Sequence, residues 1–179
     1  MNGSGASGLI GKWNLVSTGG STNSSSEFDL FGTKVRIDAN FTTASANPKG
    51  YYNITSSEFK AVGISYDMSG SLSIKEFEND VLQSEATNPL PPTPIGPYDQ
   101  STQYKISGTD SISFTGSTPA FVFQTASGSF VPPSGCKFKL EGNKLTLLFK
   151  YNFTSTDNSS GFPITDKSTV DMNVVLQKQ

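Results

Sequence analysis

Histidine is missing from all 179 residues, and cysteine, arginine and tryptophan occur once each, as Cys136, Arg36 and Trp13. Without histidine the chain lacks the usual general base, the commonest transition-metal ligand and the Ser-His nucleophile pair. It therefore reads as a non-enzyme with no catalytic residues, no metal and no cofactor. A lone cysteine cannot form an internal bridge and says nothing either way about an oxidising compartment. Thirteen basic against fifteen acidic residues leave a net charge of −2, with one guanidinium to fork onto phosphates, so nucleic acid is not expected as a partner. No run approaches the roughly 20 apolar residues of a membrane helix, and no charged-then-apolar signal opens the chain. Charge is scarce too, at 16% against about 25% in ordinary soluble proteins. Ser and Thr make up about a quarter of the chain and fill the gap.

The length suits one domain, enough to bury about 70% of the surface an unfolded chain exposes. Residues 1–8, Met-Asn-Gly-Ser-Gly-Ala-Ser-Gly, hold nothing apolar larger than alanine after Met1 and read as a flexible linker. The single domain is expected to span 9–179. Such a leader suggests an export signal trimmed upstream and a native start on a lipid-modified cysteine. The expected location is then the periplasm or the outer membrane and cell surface, with membrane contact only through that anchor.

Period-two alternation dominates, in blocks separated by Gly, Asn, Asp and Ser, as in half-buried antiparallel strands. Cys136, Phe138 and Leu140 share one face, Gly142-Asn143 turns, and Leu145, Leu147, Phe149, Tyr151 and Phe153 share the next. A second hairpin joins Tyr104–Ile106 to Ser111–Phe114 around Gly108-Thr-Asp110. A third joins Val62, Ile64, Tyr66 and Met68 to Leu72 and Ile74 around Ser69-Gly70. Isolated strands are expected at Leu9–Val16, Val35–Phe41, Tyr51–Ile54, Phe121–Phe123 and Val170–Leu176. Lys75–Asn88 alone has a helical option, with Phe77, Val81 and Leu82 on one face, although Ile74–Phe77 equally continues a strand. Asn88–Pro97 carries five prolines, which donate no ladder bonds, and is expected to be a long loop. About ten short strands result, which must close into an antiparallel barrel or pack as a two-sheet sandwich.

Few residues invite chemistry. Cys136 opens an apolar face and reads as an inert core thiol. Glu76, Glu78 and Asp80 fall on one side of an extended strand, about 7 Å apart, a spacing that glycosidase carboxylates also use. A solvated strand face carries such acids equally well. Thr156–Gly161 lacks the spaced acids of a calcium loop and reads as a hairpin tip. Asn-x-Ser/Thr sequons at Asn23, Asn40, Asn53, Asn152 and Asn158 follow from the Ser/Thr-rich composition.

The stretch Leu9-Ile-Gly11-Lys-Trp13-Asn-Leu-Val16 resembles the first strand of the lipocalins, and more closely that of lipocalin-like domains of exported bacterial proteins, many of them lipoproteins. The hairpins Tyr104–Phe114 and Phe138–Leu147 and the strand Val170–Gln177 are similar in pattern, so the resemblance covers most of the chain from residue 9. There are departures: no middle loop carries Thr-Asp-Tyr, and the end, Leu176-Gln-Lys-Gln, lacks the arginine that stacks on the family's first-strand tryptophan. Lys178 or Arg36 is left to cover Trp13, itself read as a core plug closing one mouth.

The resemblance implies an up-and-down barrel of eight to ten strands, monomeric, binding a small hydrophobic ligand in its interior. The inward-facing ligand-binding candidates are Val35, Ile37, Ile64, Tyr66, Leu147, Phe149, Tyr151 and Val174. Their bulk leaves open a second outcome, an interior filled by its own side chains. The alternative function is a cell-envelope surface or scaffold module recognising carbohydrate or protein through its loops, the proline segment above all.

Overall fold

The structure is a computed structural model, described here for residues 8–115, 134–158 and 161–179. Eight strands are described: β1 (Gly11–Leu30), β2 (Thr33–Ile54), β3 (Glu58–Glu78), β4 (Val81–Ser107), β5 (Ser111–Thr115), β6 (Gly135–Glu141), β7 (Lys144–Asp157) and β8 (Ile164–Lys178). Each pairs antiparallel with its sequence neighbours, and β1 pairs with β8, so the sheet closes on itself in a barrel-like ring instead of splitting into two layers.

Unequal strand lengths divide this ring into two halves. β5 has 5 residues and β6 has 7, whereas β4 has 27. Closure is therefore confined to one half, where β5 and β6 bridge β4 to β7. Beyond it, β7, β8, β1, β2, β3 and β4 run on as a six-strand extension.

The closed half holds the core. Trp13, Tyr52, Phe59, Ile64, Leu145, Leu147, Phe149 and Leu176 are fully buried there. Phe59 lies at its centre, tilted on Tyr52 at 5.2 Å and edge-on to Phe114 and Tyr104 at 5.9 and 6.2 Å, geometries the ring quadrupole favours. The indole Nε1 of Trp13 donates to the Leu9 carbonyl at 2.8 Å, which satisfies its one polar atom inside the core. Lys178, not Arg36, covers the indole: its Nζ sits 5.2 Å from the ring and donates to the Gly8 carbonyl.

A waist separates the halves. Register shifts fall between Asn14 and Gly19, Leu15 and Ser17, Ala46 and Lys49, Ala61 and Ile64, and Met68 and Gly70. Each added residue increases local bend and twist. Glycine is required where the bent backbones press together: a Cβ on Gly70 would sit 1.8 Å from the Thr42 carbonyl oxygen, and one on Gly20 would sit 2.2 Å from that of Asp171.

The sequence expectation for this region is corrected on that account. Ser69-Gly70 is not a turn, because β3 passes straight through it, and the glycine marks a close approach instead. Likewise Val35–Phe41 and Tyr51–Ile54 belong to one strand of 22 residues. Lys75–Asn88 is not helical: β3 ends at Glu78, Asn79 and Asp80 adopt positive φ in a two-residue hairpin turn, and β4 begins at Val81. The hairpins around Gly142-Asn143 and Gly108-Thr-Asp110 form as expected. Phe121–Phe123 lies outside the described residues.

Asn88–Pro97 is strand as well, not loop, and the register explains how. Pro89 faces Ser71 and Pro94 faces Asp67. The one-residue shifts between Leu90 and Thr93, and between Ile95 and Tyr98, bring Pro91, Pro92 and Pro97 opposite odd-numbered residues of β3 as well. All five prolines thus share one phase of the strand. A proline nitrogen cannot donate, and the register shifts beside Pro91, Pro92 and Pro97 are where a strand tolerates proline.

Candidate functional site

Strand alternation gives the sheet an inward and an outward side, and the sequence candidates all lie inward. Ile64, Leu147, Phe149 and Val174 are completely buried in the closed half, with Tyr66 beside them. These five pack against one another and their neighbours as core. Val35 is buried near the far tip of the extension, opposite Phe28, whose ring stacks on Phe162 at 6.1 Å. Ile37 and Tyr151 are half-buried. The structure thus brings five of the eight together, packs Tyr151 against the edge of their cluster, and leaves Val35 and Ile37 apart on the extension.

Tyr151 borders a notch. β6 starts at Gly135, whereas β7 runs on to Asp157. Beside the step lies a space of about 520 Å³ lined by Ile112, Gly135, Cys136, Tyr151 and Phe153, with Ser111, Ser134, Lys137, Lys150 and Asn152 at its margin. Tyr151 and Phe153 stack along its wall at 6.4 Å. Burial pushes the Tyr151 hydroxyl up to about 12 and the Cys136 thiol up to about 12, so both are protonated and neutral at ordinary pH. Cys136 is buried and carries no thiolate for nucleophilic attack. A smaller apolar recess of about 100 Å³, with Phe41, Met68, Leu90 and Ile95 in its walls, continues the inward side between β2, β3 and β4.

Outward, the extension carries an arrangement the sequence reading missed. Strand register sets Asn152, Thr169, Asn23, Asn40, Ser73 and Thr87 side by side across β7, β8, β1, β2, β3 and β4. The next row outward is Thr154, Lys167, Ser25, Asp38, Lys75 and Glu85. As far as Ser73 and Lys75, the two rows line a groove of about 580 Å³ that reaches from β7 to β3, within the ~300–1,000 Å³ typical of small-ligand sites. Asn40 donates its amide to the Asn23 side-chain carbonyl, Thr87 donates to Ser73 at 3.2 Å, and Ser25 donates to Asp38 at 2.7 Å.

Its charges are partnered. Lys75 pairs with Glu85 at 3.2 Å, Lys167 reaches Glu27 at 3.9 Å, and Asp38 meets Arg36 at 3.3 Å. Arg36 also holds Asp80 at 2.9 Å and lies over the Phe77 ring at 4.1 Å. The expected acidic trio is therefore split: Asp80 sits in the turn under Arg36, while Glu76 accepts from Ser84 at 3.2 Å on the inward side. The signal for the groove was present in the chain as Ser, Thr and Asn at alternate positions of long strands. It became legible only once β1, β2 and β3 were known to be continuous.

Among the described residues no group of three or more Cys, Asp and Glu side chains gathers to hold a metal ion, and no helix is long and apolar enough to cross a membrane. Thr156–Asn158 and Gly161 lie at the tip of the β7–β8 hairpin closed by Asp157 and Ile164. Compared with known protein families, curated proteins and solved structures, the chain matches none.

Proposed function

We propose that the protein is a non-enzymatic, lipocalin-like binding protein of the exported kind, holding a small hydrophobic molecule beside β7. The up-and-down strand order with β1 against β8 supports the kinship, as does the Gly-x-Trp start with a cation over its indole. The observation that carries the reading is the notch of about 520 Å³ where Tyr151 and Phe153 stack beside Ile112 and Cys136. The half-buried aromatic wall favours apolar surface, and the lysines at the margin, Lys137 and Lys150, lie where a polar head would sit. The ligand then occupies the step between the halves. The centre of the closed half is taken by Phe59, Phe149 and Ile64, all fully buried.

The test is titration of the purified protein with a fluorescent fatty acid, alongside native mass spectrometry for co-purified lipid. Saturable binding weakened about tenfold, or ~1.4 kcal/mol, by Tyr151→Ala or Phe153→Ala is the expected result. Absence of saturable uptake and of any co-purified species sinks the reading. The compartment rests on the hydroxyl-rich composition and the resemblance. Fractionation of cells expressing the full-length gene product, with metabolic lipid labelling, decides it.

A further inference from the structure

We propose that the outward groove of the extension is a second binding site, for a neutral, extended oligosaccharide. Three observations converge on that occupant. First, the central row of the groove offers amides and hydroxyls alone: Asn152, Thr169, Asn23, Asn40 and Ser73. Each amide supplies donors and an acceptor together, which is what a polyhydroxyl ligand needs and what an apolar or purely anionic one does not. Second, the charged groups in the groove face partners of opposite sign, Lys75 on Glu85, Asp38 on Arg36 and Lys167 towards Glu27. A charged ligand would have to displace an existing pair, whereas a neutral one leaves the pairs in place. Third, the groove crosses five strands, about 19 Å at ~4.8 Å per strand. That is a trough for several linked sugars, too long for a single ring.

Asn23, Asn40 and Asn152 stand on rigid strands, each fixed by pairing on both flanks or by its hairpin partner. Preorganised side chains lose little freedom on binding, which suits the weak, multi-contact recognition of hydroxyls. The groove and the notch meet at β7, where Asn152 and Phe153 border both, so Asn23 and Asn40 on one side and Tyr151 on the other are the residues that separate them.

The experiment is an NMR titration of the protein, with labelled Asn side-chain amides, against cellotetraose, chitotetraose, maltotetraose and mannotetraose at up to about 10 mM. At least one probe is expected to shift the Asn23, Asn40 and Asn152 amides together. That effect should weaken about tenfold or more in the Asn23→Ala/Asn40→Ala double variant, whose fatty-acid titration stays unchanged. Tyr151→Ala should do the reverse, so failure of one site leaves the other measurable. Silence of these amides with all four probes overturns the proposal. So does binding that survives the double variant, or a preference for the matching uronic-acid oligosaccharides over the neutral ones.

Discussion

The closed and extended halves share the same strands, yet they are held by different forces. In the closed half the inward side is mostly apolar and sealed, with Trp13, Phe59 and Phe149 fully buried. In the extension the inward side is only half covered, with Ile37, Phe41, Leu72 and Ile74 all partly exposed. Its outward side relies on cross-strand hydrogen bonds and ion pairs between Ser, Thr, Asn, Lys and acids. Exposed pairs of that kind contribute about 0–1 kcal/mol each, against about 1.5–3 kcal/mol for a fully buried large apolar side chain. The difference teaches that stability and surface display are assigned to opposite ends of the same strands.

The largest expected effect tests that division directly. Trp13→Ala should lower the unfolding free energy by about 4 kcal/mol, read by urea denaturation, while Phe41→Ala on the extension should cost about 1 kcal/mol. Equal losses would break the contrast. Gly70→Ala comes next, at about 2–3 kcal/mol, because its new methyl meets the Thr42 backbone, which cannot yield as a side chain can. Gly142→Ala is the sharpening control: its Cβ has open space and only the positive φ of 59° opposes it, worth about 1 kcal/mol.

Alkali gives a third, intermediate effect. Tyr52 is held well above its ordinary 10.0 by burial and, less strongly, by Tyr66, whereas the unfolded chain ionises near the ordinary value. Stability is then intact below about pH 10 and falls as pH rises beyond it, since the unfolded state loses the proton first. Tyr52→Phe should flatten that fall in melts followed from pH 8 upward. The smallest effect is at the surface. Hydrogen bonds from Lys137 and Ser111 hold the Asp110 carboxyl below the usual aspartate range, and Lys137→Ala should return its NMR titration midpoint upward with no visible change in the unfolding curve.

Much of the closed half was legible in the chain. The Gly142-Asn143 and Gly108–Asp110 turns have the chemistry of tight hairpins, and Trp13, Leu145 and Leu147 recur at every second position among polar neighbours such as Lys12, Asn14, Lys144 and Thr146. The extension was hidden for a physical reason. Glycine and proline usually punctuate strands, so Gly70 and Asn88–Pro97 read as ends, although one serves close packing and the other a strand margin. Continuity lost at those points also hid the polar rows, because side chains become neighbours across strands only when register is known. Of the inward candidates, Tyr151 borders the notch, whereas Ile64 and Phe149 are core; alternation alone assigns a side of the sheet, not its depth.

The five prolines of β4 have a consequence for how copies of the chain meet at high concentration. Prolines offer no amide hydrogen to a further strand, so Pro89–Pro97 is a poor template for growth of the sheet from copy to copy. A long, flat ribbon would otherwise carry the hazard of fibril formation. Proline here acts as a terminator of assembly while leaving the fold of its own strand intact.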